Sequence, residues 1–391
     1  MPHPCPDPGA PVIVQARRTP VGSAGHALAD LDVIALAAPL LADAAPIADR
    51  LDRRVDDVVL GNCLGPGGDI ARVAALAAGL GADVPGVTVD RQCGSGLDAV
   101  LQAASRIRSG DAELILAGGV ESASTAPWRS WPPRDGRPAQ RYSRAPFAPA
   151  GFPDPDMGTA ADDLARRRGL GRDRQDAWAE RSHARAIAAR TAGRFAAELL
   201  PIGGLDHDER PRPGLDAARL ARLRPAFGPD GTATAGNSCG ISDGAALLTV
   251  TTRAAAGRAG LPGPRIVAAA VAAGDPALPG AAPVPAVRAL FDRPSVRAAG
   301  VRLSDVSAVE ITEAFASVVL AVVDELHLDP ETVCTDGGAI AMGHPWGASG
   351  AVLLVRLAAR MRTDGHRWGL AACAIGGGQG IAMLLEQDDH G

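Results

Sequence analysis

The stretch VDRQCGSGLDAV, Val89 to Val100, decides the reading of this 391-residue chain. An apolar strand signal ends at Val89, the small residues Gly94, Ser95 and Gly96 allow a tight turn, and a helical pattern begins directly behind Cys93. Strand, turn and helix in that order form a unit that presents one cysteine at a helix N-terminus. Unpaired N–H groups there favour an anion, so the expectation is a thiol held below its free value of about 8.5. A free cysteine is otherwise most often a small buried hydrophobe, and that is the competing structural reading.

Working outward, the apolar runs PVIVQA, DDVVLGN, GVTVD and AELILAGG alternate with Ala-rich helical stretches at Val33–Leu41 and Ala71–Leu80. This alternation predicts a largely parallel α/β sheet covered by helices on both faces. The same order returns late in the chain, in SAVEITEAF, the glycine turn before His344, the helix after Gly350 and the strand GLAACAI, which predicts an internal duplication. Between the halves, from about Glu121 to Asp243, the Pro- and Arg-rich WPPRDGRPAQRYSRAPFAPAGFPDPDMG leads into the helix RDRQDAWAERSHARAIAAR and reads as an inserted subdomain. Trp178, Ala179, Ser182 and Ile187 have the spacing of a packed helix face. The arginines of this segment serve either as a solvated surface or as phosphate contacts.

Composition sets the limits. The chain is too long for one ordinary core, so about two or three domains are expected. Apolar residues make up 47% of it but aromatics 3%, and the net charge is −5, which argues against stacking on nucleic acid. No lysine occurs, so every permanent side-chain cation is arginine. The six cysteines, at positions 5, 63, 93, 239, 334 and 373, show neither a CxxC pair nor metal-type spacing, so no metal site is expected and a reducing cytoplasm fits best. MPHPCPDPGAP reads as a disordered lead-in and not as a targeting segment, and the C-terminal QDDHG carries no peroxisomal address. No apolar run suggests a membrane span.

A second segment, GGAIAMGHPWGASG (Gly337 to Gly350), sets His344 in a loop whose glycines permit unusual backbone on both sides. That favours a positioned imidazole over an ordinary surface histidine. A third, AIGGGQG (Ala374 to Gly380), offers backbone N–H donors for an oxyanion.

With these motifs the chain resembles the thiolases, which make or cleave β-ketoacyl-CoA through a cysteine acyl-enzyme. The resemblance covers nearly the whole length, through RRTPVGSAG, ARVAALAAGL, the Cys93 segment, AGGVESAS, DMGTAADDLA, RQDAWAERSHARA, DERPRP, LRPAFGPDGTATAGNSCGISDGAA, ITEAFA, GGAIAMGHPWGASG and CAIGGGQGIAM. It implies a five-layered αβαβα fold of two similar halves, residues 1–120 completed by about 244–262, and 263–391, with a loop domain for coenzyme A at 121–243. It implies Cys93 as the acylated nucleophile and His344 as its activator, with the N–H groups of Cys93 and Gly376 holding the thioester oxygen. Met157, Ala235, Cys239, Gly240, Ala314 and Phe315 match pantetheine-contacting positions. Acyl-CoA and coenzyme A are then substrates with no further cofactor, a homodimer or homotetramer is expected, and the need for an accessory protein stays open.

Three departures from the family pattern matter. Ala374 stands where the family places a second, proton-moving cysteine, through natural divergence or as an engineered trapping substitution. Cys373 lies one residue earlier, and in an extended strand that offset turns its side chain to the opposite face. A base in that role contributes roughly 10²–10⁴-fold. Thr312 replaces the asparagine of the usual NEAF motif, either as a tolerated hydroxyl-for-amide exchange or as the mark of a changed reaction. Asp90 replaces an asparagine three positions before the nucleophile, and either opposes a thiolate from within the site or pairs with a buried arginine. Cys239 stands in place of a serine of the coenzyme A loop. The leading expectation is a thiolase-type C-acyltransferase. The alternatives are a divergent or decarboxylative condensing enzyme using the same acyl-cysteine, and a non-catalytic scaffold subunit.

Overall fold

The computed structural model describes residues 7–387; the first six residues of the lead-in and the last four of QDDHG lie outside the described residues. The chain begins with β1 (Pro11–Arg18), β2 (Gly22–Ser23), α1 (Val33–Leu51), β3 (Asp57–Gly61), α2 (Ile70–Ala77), β4 (Gly86–Val89), α3 (Ser95–Ser109) and β5 (Leu114–Glu121). An insertion follows, with a hairpin of β6 (Arg129–Trp131) and β7 (Gln140–Tyr142) and the helices α4 (Met157–Arg168), α5 (Arg172–Thr191) and α6 (Ala217–Ala221). Next come β8 (Ser242–Thr252), α7 (Arg253–Ala259), β9 (Arg265–Ala273), α8 (Pro283–Phe291), α9 (Pro294–Ala299), β10 (Ala308–Ile311) and α10 (Ala316–Leu326). The chain closes with α11 (Ala339–Met342), α12 (Trp346–Asp364), β11 (Trp368–Ile375) and β12 (Gln379–Glu386).

The strands fall into two groups, β4-β3-β5-β8-β1 and β10-β11-β12-β9, which meet where Val12 pairs with Arg265. Their pairing senses repeat. In the first, β3 is parallel to β4 and β5, while β8 is antiparallel to β5 and β1. In the second, β10 is parallel to β11 and to an isolated bridge at Val333, while β12 is antiparallel to β11 and β9. The internal duplication is therefore visible in the topology, with the third strand of the second half reduced to Val333.

The expectation of a largely parallel sheet is wrong, because β8 and β12 run antiparallel to both neighbours. In the second half the reason is local: Gly376 to Gly378 join β11 to β12 in a three-residue turn, which can only send the chain back alongside itself. In the first half the insertion takes the place of that turn, and the strand direction is kept.

Period-two alternation distributes the side chains over three cores. Val58, Leu60, Leu114 and Leu116 pack on α1 and α2. Val59, Ile115, Ala117 and Leu248 face the other way onto α3 and α12, whose far sides meet Ala371, Cys373, Ile381 and Met383. Val309, Ile311, Leu370 and Leu384 turn to α8 and α10. The layers are helix, sheet, helix, sheet, helix.

In the middle layer α3 and α12 touch backbone to backbone. A Cβ on Gly96 would stand 2.8 Å from the Ala351 nitrogen, and one on Gly350 would collide with the Leu97 backbone; the start of α12 also lies against β5, where a Cβ on Gly119 would collide with the Gly347 carbonyl oxygen. Both helices begin at this crossing, so what precedes each helix is brought to the same place. The insertion is fastened to the body by Arg18, fully buried at the end of β1, which pairs with Glu198 and Asp208 at 2.7 Å each. On α5 the buried face runs through Trp178, Ala179, Ser182 and Ala186; Ile187, expected on that face, is half-buried.

Replacing Gly119 by alanine sets a side chain against backbone that has no flexible end to yield. Gly119→Ala is expected to cost about 1–3 kcal/mol or more in denaturant unfolding. Gly257→Ala, in open space within α7, is expected to be neutral or to stabilise by up to about 1 kcal/mol. Equal effects of the two would contradict the close approach of β5 to the start of α12.

Candidate active site

Behind β4 the chain makes a tight turn that its own side chains secure. The Asp90 carboxylate accepts the Gln92 N–H at 2.8 Å, and the Ser95 hydroxyl accepts the Arg91 N–H at 2.8 Å while donating to the Gln92 carbonyl at 2.6 Å. Gln92 is held in the left-handed region at φ 46°, uncommon for a residue with a side chain. Cys93 emerges from this turn half-buried, in the wall of a cavity of about 460 Å³.

The expected acidic thiol is not found. Burial pushes the Cys93 thiol well above its ordinary value, and the neighbouring Cys373 and Cys239 push it further in the same direction. The helix start offers less than the sequence suggests, because the N–H groups of Gly94 and Ser95 are already donated to the carbonyls of Arg91 and Gln92 at 3.0 and 2.9 Å. Asp90 takes neither of its expected roles: it is exposed and bonded to Gln92.

His344 comes from the opposite half, between α11 and α12, and is 2% exposed. Its N–H is shared by the Gly240 carbonyl and the Ser242 hydroxyl, each at 3.2 Å. On the ring, Nδ1 lies 2.6 Å from the Ser349 hydroxyl, one turn into α12. With Nδ1–H donated to Ser349, Nε2 keeps its lone pair. Burial pushes the imidazole down to about 4, so at neutral pH the site holds a neutral thiol and a neutral imidazole.

The cavity brings together most of the residues marked in the sequence. Cys93, Met157, Cys239, Gly240, Ala314, Phe315, His344, Ala374 and Gly376 all line it. Ala235 is exposed and outside the lining. Thr312 is buried behind the wall, with its hydroxyl facing the Cys373 thiol but in no hydrogen bond of normal geometry. Cys373 is turned away as the one-residue offset predicts: it is fully buried against α3, and its thiol points to the Cys93 and Ala374 carbonyls at 3.3 and 3.2 Å.

Apart from Ser238 and Asp156 the rest of the wall is apolar, and nothing in the sequence singles it out. Phe227 lies on Gly158 and meets Phe315 edge to face at 5.7 Å, and Ile241, Pro279, Val318 and Trp346 complete the surface. Trp346 and Phe227 sit inside quoted motifs, but nothing in their spacing marked them. Besides Cys93 and His344, the titratable lining groups are Cys239, pushed up to about 12 by burial, and Asp156, whose side chain is 85% exposed at the mouth.

Residues 11–254 match the family described as thiolase, N-terminal domain, and residues 262–387 that described as thiolase, C-terminal domain. An acetyl-CoA acetyltransferase of Escherichia coli is 41% identical over 396 residues, covering 96% of this chain and 98% of its own. One of Pseudomonas aeruginosa is 41% identical over 397 residues, covering 96% and 99%. The crystal structure of the Bacillus anthracis acetyl-CoA acetyltransferase superposes with a TM-score of 0.89 at 36% identity, over 97% of this chain and 99% of that one.

The depressed imidazole has a definite pH signature. The base form of His344 is lost only as pH falls through about 4. Any acylation of Cys93 that uses His344 as its base should therefore hold its plateau through the range where a free histidine, at about 6.5, would already be protonated. A single-turnover acylation rate that halves near 6.5 would contradict this. Ser349→Ala, which frees the ring without touching Cys93, is expected to slow the same step by roughly 10-fold or more.

Proposed function

We propose, from the premise that the chain belongs to the thiolase family and is a thiolase-type acyl-CoA C-acyltransferase, that Cys93 carries the acyl group and His344 moves its proton. The observation that carries this reading is that Cys93 and His344, each standing just before one of the two central helices, open into one apolar cavity. His344 Nε2 takes the thiol proton as Cys93 Sγ bonds to the thioester carbonyl carbon. The oxygen, now negative, is received by the N–H groups of Cys93 and Gly376. The carbonyl re-forms, the bond to the coenzyme A sulfur breaks, and that sulfur leaves with the proton from His344, giving acyl-Cys93 and a free thiol. Neither centre need be charged before substrate arrives, which suits the neutral pair.

The insertion, residues 121–243, holds coenzyme A in this reading, with Met157, Cys239, Gly240, Ala314 and Phe315 along the pantetheine arm. The open edge of β4, with Val73, Leu76 and Val87 exposed beside it, supports assembly into a homodimer or a larger homo-oligomer. Among the described residues no helix is long and apolar enough to cross a membrane.

Ala374 favours a second reading of the carbon–carbon step. It lines the cavity and cannot accept a proton, and among the described residues the one carboxylate of the lining, Asp156, stands at the exposed mouth. A nucleophile that generates its own carbanion by losing carbon dioxide, such as a malonyl-type thioester, needs no base there.

Intact mass after brief exposure to a panel of acyl-CoAs tests the first step. A thioester adduct is expected on the native chain and none on Cys93→Ala; an adduct on both, or on neither, overturns acyl-Cys93. Exchange of the α-hydrogens of acetyl-CoA in deuterium oxide tests the second. Ala374→Cys is expected to raise exchange by roughly 10²-fold or more over a slow native rate. Native exchange as fast as the variant's would reject the decarboxylative reading and assign the proton to another group.

A further inference from the structure

Glu121, the last residue of β5, is fully buried, and among the described residues no cation pairs with it. It is satisfied instead by four N–H donors from two separate segments. One carboxylate oxygen accepts from the Gly347 and Cys63 backbones at 3.0 and 3.1 Å; the other accepts from the Leu64 backbone and the Asn62 side-chain amide, both at 3.1 Å. Every facing group donates, which is the arrangement an ionised carboxylate satisfies and a protonated one or an amide does not. Burial works against that charge and raises the Glu121 pKa, while these same donors pull it down.

The two segments so joined belong to different parts of the reacting pair. Gly347 lies in the first turn of α12, between His344 and Ser349, the hydroxyl that orients the imidazole. Residues 62–64 follow β3 and border the turn of the nucleophile, where the Cys63 sulfur stands 3.9 Å from the Ser95 hydroxyl. Packing alone does not call for a charge at such a place. The start of the other central helix offers a contrast: Gly94, just before α3, rests on Ile375 at the end of β11, and that contact is apolar. In one half an isoleucine is enough to seat a central helix; in the other a carboxylate binds the helix start to the neighbouring loop.

We infer that Glu121 is a positioning residue for acyl transfer: its carboxylate locks the first turn of α12, and with it His344 and Ser349, onto the loop beside the Cys93 turn. This rests on Cys93 and His344 being the reacting pair. Glu121 touches no substrate and moves no proton. It removes the freedom of one half-site to slide against the other, the kind of misplacement for which about 1 Å can cost 10²-fold in rate.

The test is Glu121→Gln, which keeps the shape but turns an NH₂ toward N–H donors. Single-turnover acylation of Cys93 by acetyl-CoA is expected to fall on the order of 10²-fold. Half-saturation by acetyl-CoA should stay within about twofold. Alkylation of Cys93 by iodoacetamide at alkaline pH, which needs no imidazole, is expected to be unchanged. A native acylation rate, or parallel losses in acylation and alkylation, overturns the positioning role. Hydrogen exchange reads the clamp without catalysis: the amides of Gly347, Cys63 and Leu64 are expected to lose protection together in the variant, and unchanged protection overturns the clamp. Should Glu121→Gln not fold, Glu121→Asp, which keeps the charge but shortens the reach, is read by the same measurements with the same outcomes. Absence of any acyl adduct on the native chain instead removes the acyl-Cys93 reading, and amide exchange then still decides the clamp.

Discussion

The backbone-to-backbone crossing of α3 and α12 is the constraint on which the rest of the structure depends. Two helices can approach so closely only where side chains are absent at the contact, and here Gly96 and Gly350 on the helices face Ala351 and Leu97 across it. The layer they form is sandwiched between two sheets, so any group added at the crossing must push the sheets apart or displace a helix start. The composition follows from the same demand. Alanine and glycine line the middle layer, aliphatic residues fill the three cores, and aromatic residues are few because flat, bulky rings have little room between helices and sheets spaced this tightly. The site inherits its geometry from the crossing, since Cys93 and His344 each stand two residues before the helix that meets the other.

Burial then sets the chemistry of that pair. Taking an ion out of water is costly, so a buried thiol resists losing its proton and a buried imidazole resists gaining one. Both shifts occur here, and they act in the same sense: Cys93 is driven up and His344 down to about 4. A pre-formed thiolate–imidazolium pair is disfavoured from both sides. In the proposed reaction the thiol becomes a nucleophile only as its proton passes to His344 while the new bond forms, when negative charge moves on to the thioester oxygen and away from sulfur. A resting thiol of this kind is also poorly reactive toward oxidants and alkylating agents, which attack the thiolate.

How much of this was legible in the sequence depended on how local the determinant was. Strand positions, the turn at Cys93 and the opposite facing of Cys373 and Ala374 follow from short-range patterns, and the structure shows each of them; of the glycines around His344 only those before it take unusual backbone, Gly343 at φ 114°, while Gly347 and Gly350 lie in α12 and serve close packing. The direction of β8 and β12 does not follow, because a strand carries no mark of which way its neighbours run. The acidity of Cys93 was misread for a related reason: a helix start is visible in the sequence, whereas the burial that outweighs it is assembled from both halves. Asp90 could have been read correctly, since an aspartate two residues before a strained position commonly caps its own turn. Phe227, Val318 and Pro279 could not, because apolar wall residues reach the cavity from distant segments and have no chemical signature of their own.

The duplicated topology places equivalent helix starts on either side of the cavity, but the chemistry laid on them is unequal. One start carries Cys93 and rests on an isoleucine; the other carries His344 and is bound by a carboxylate. The corresponding links are unequal too: three glycines between β11 and β12, and between β5 and β8 the insertion that supplies Met157, Phe227, Cys239 and Gly240 to the walls. Acylation needs only the paired helix starts and the N–H groups beside them, which the crossing of α3 and α12 enforces. The carbon–carbon step needs in addition a means of making a carbanion. With Ala374 in the wall, that means must come from His344, once it has released its proton to the departing thiol, or from the nucleophile itself. In the proposed reaction, then, the crossing serves the first half-reaction directly, while the second depends on what nucleophile the apolar cavity admits beside Ala374.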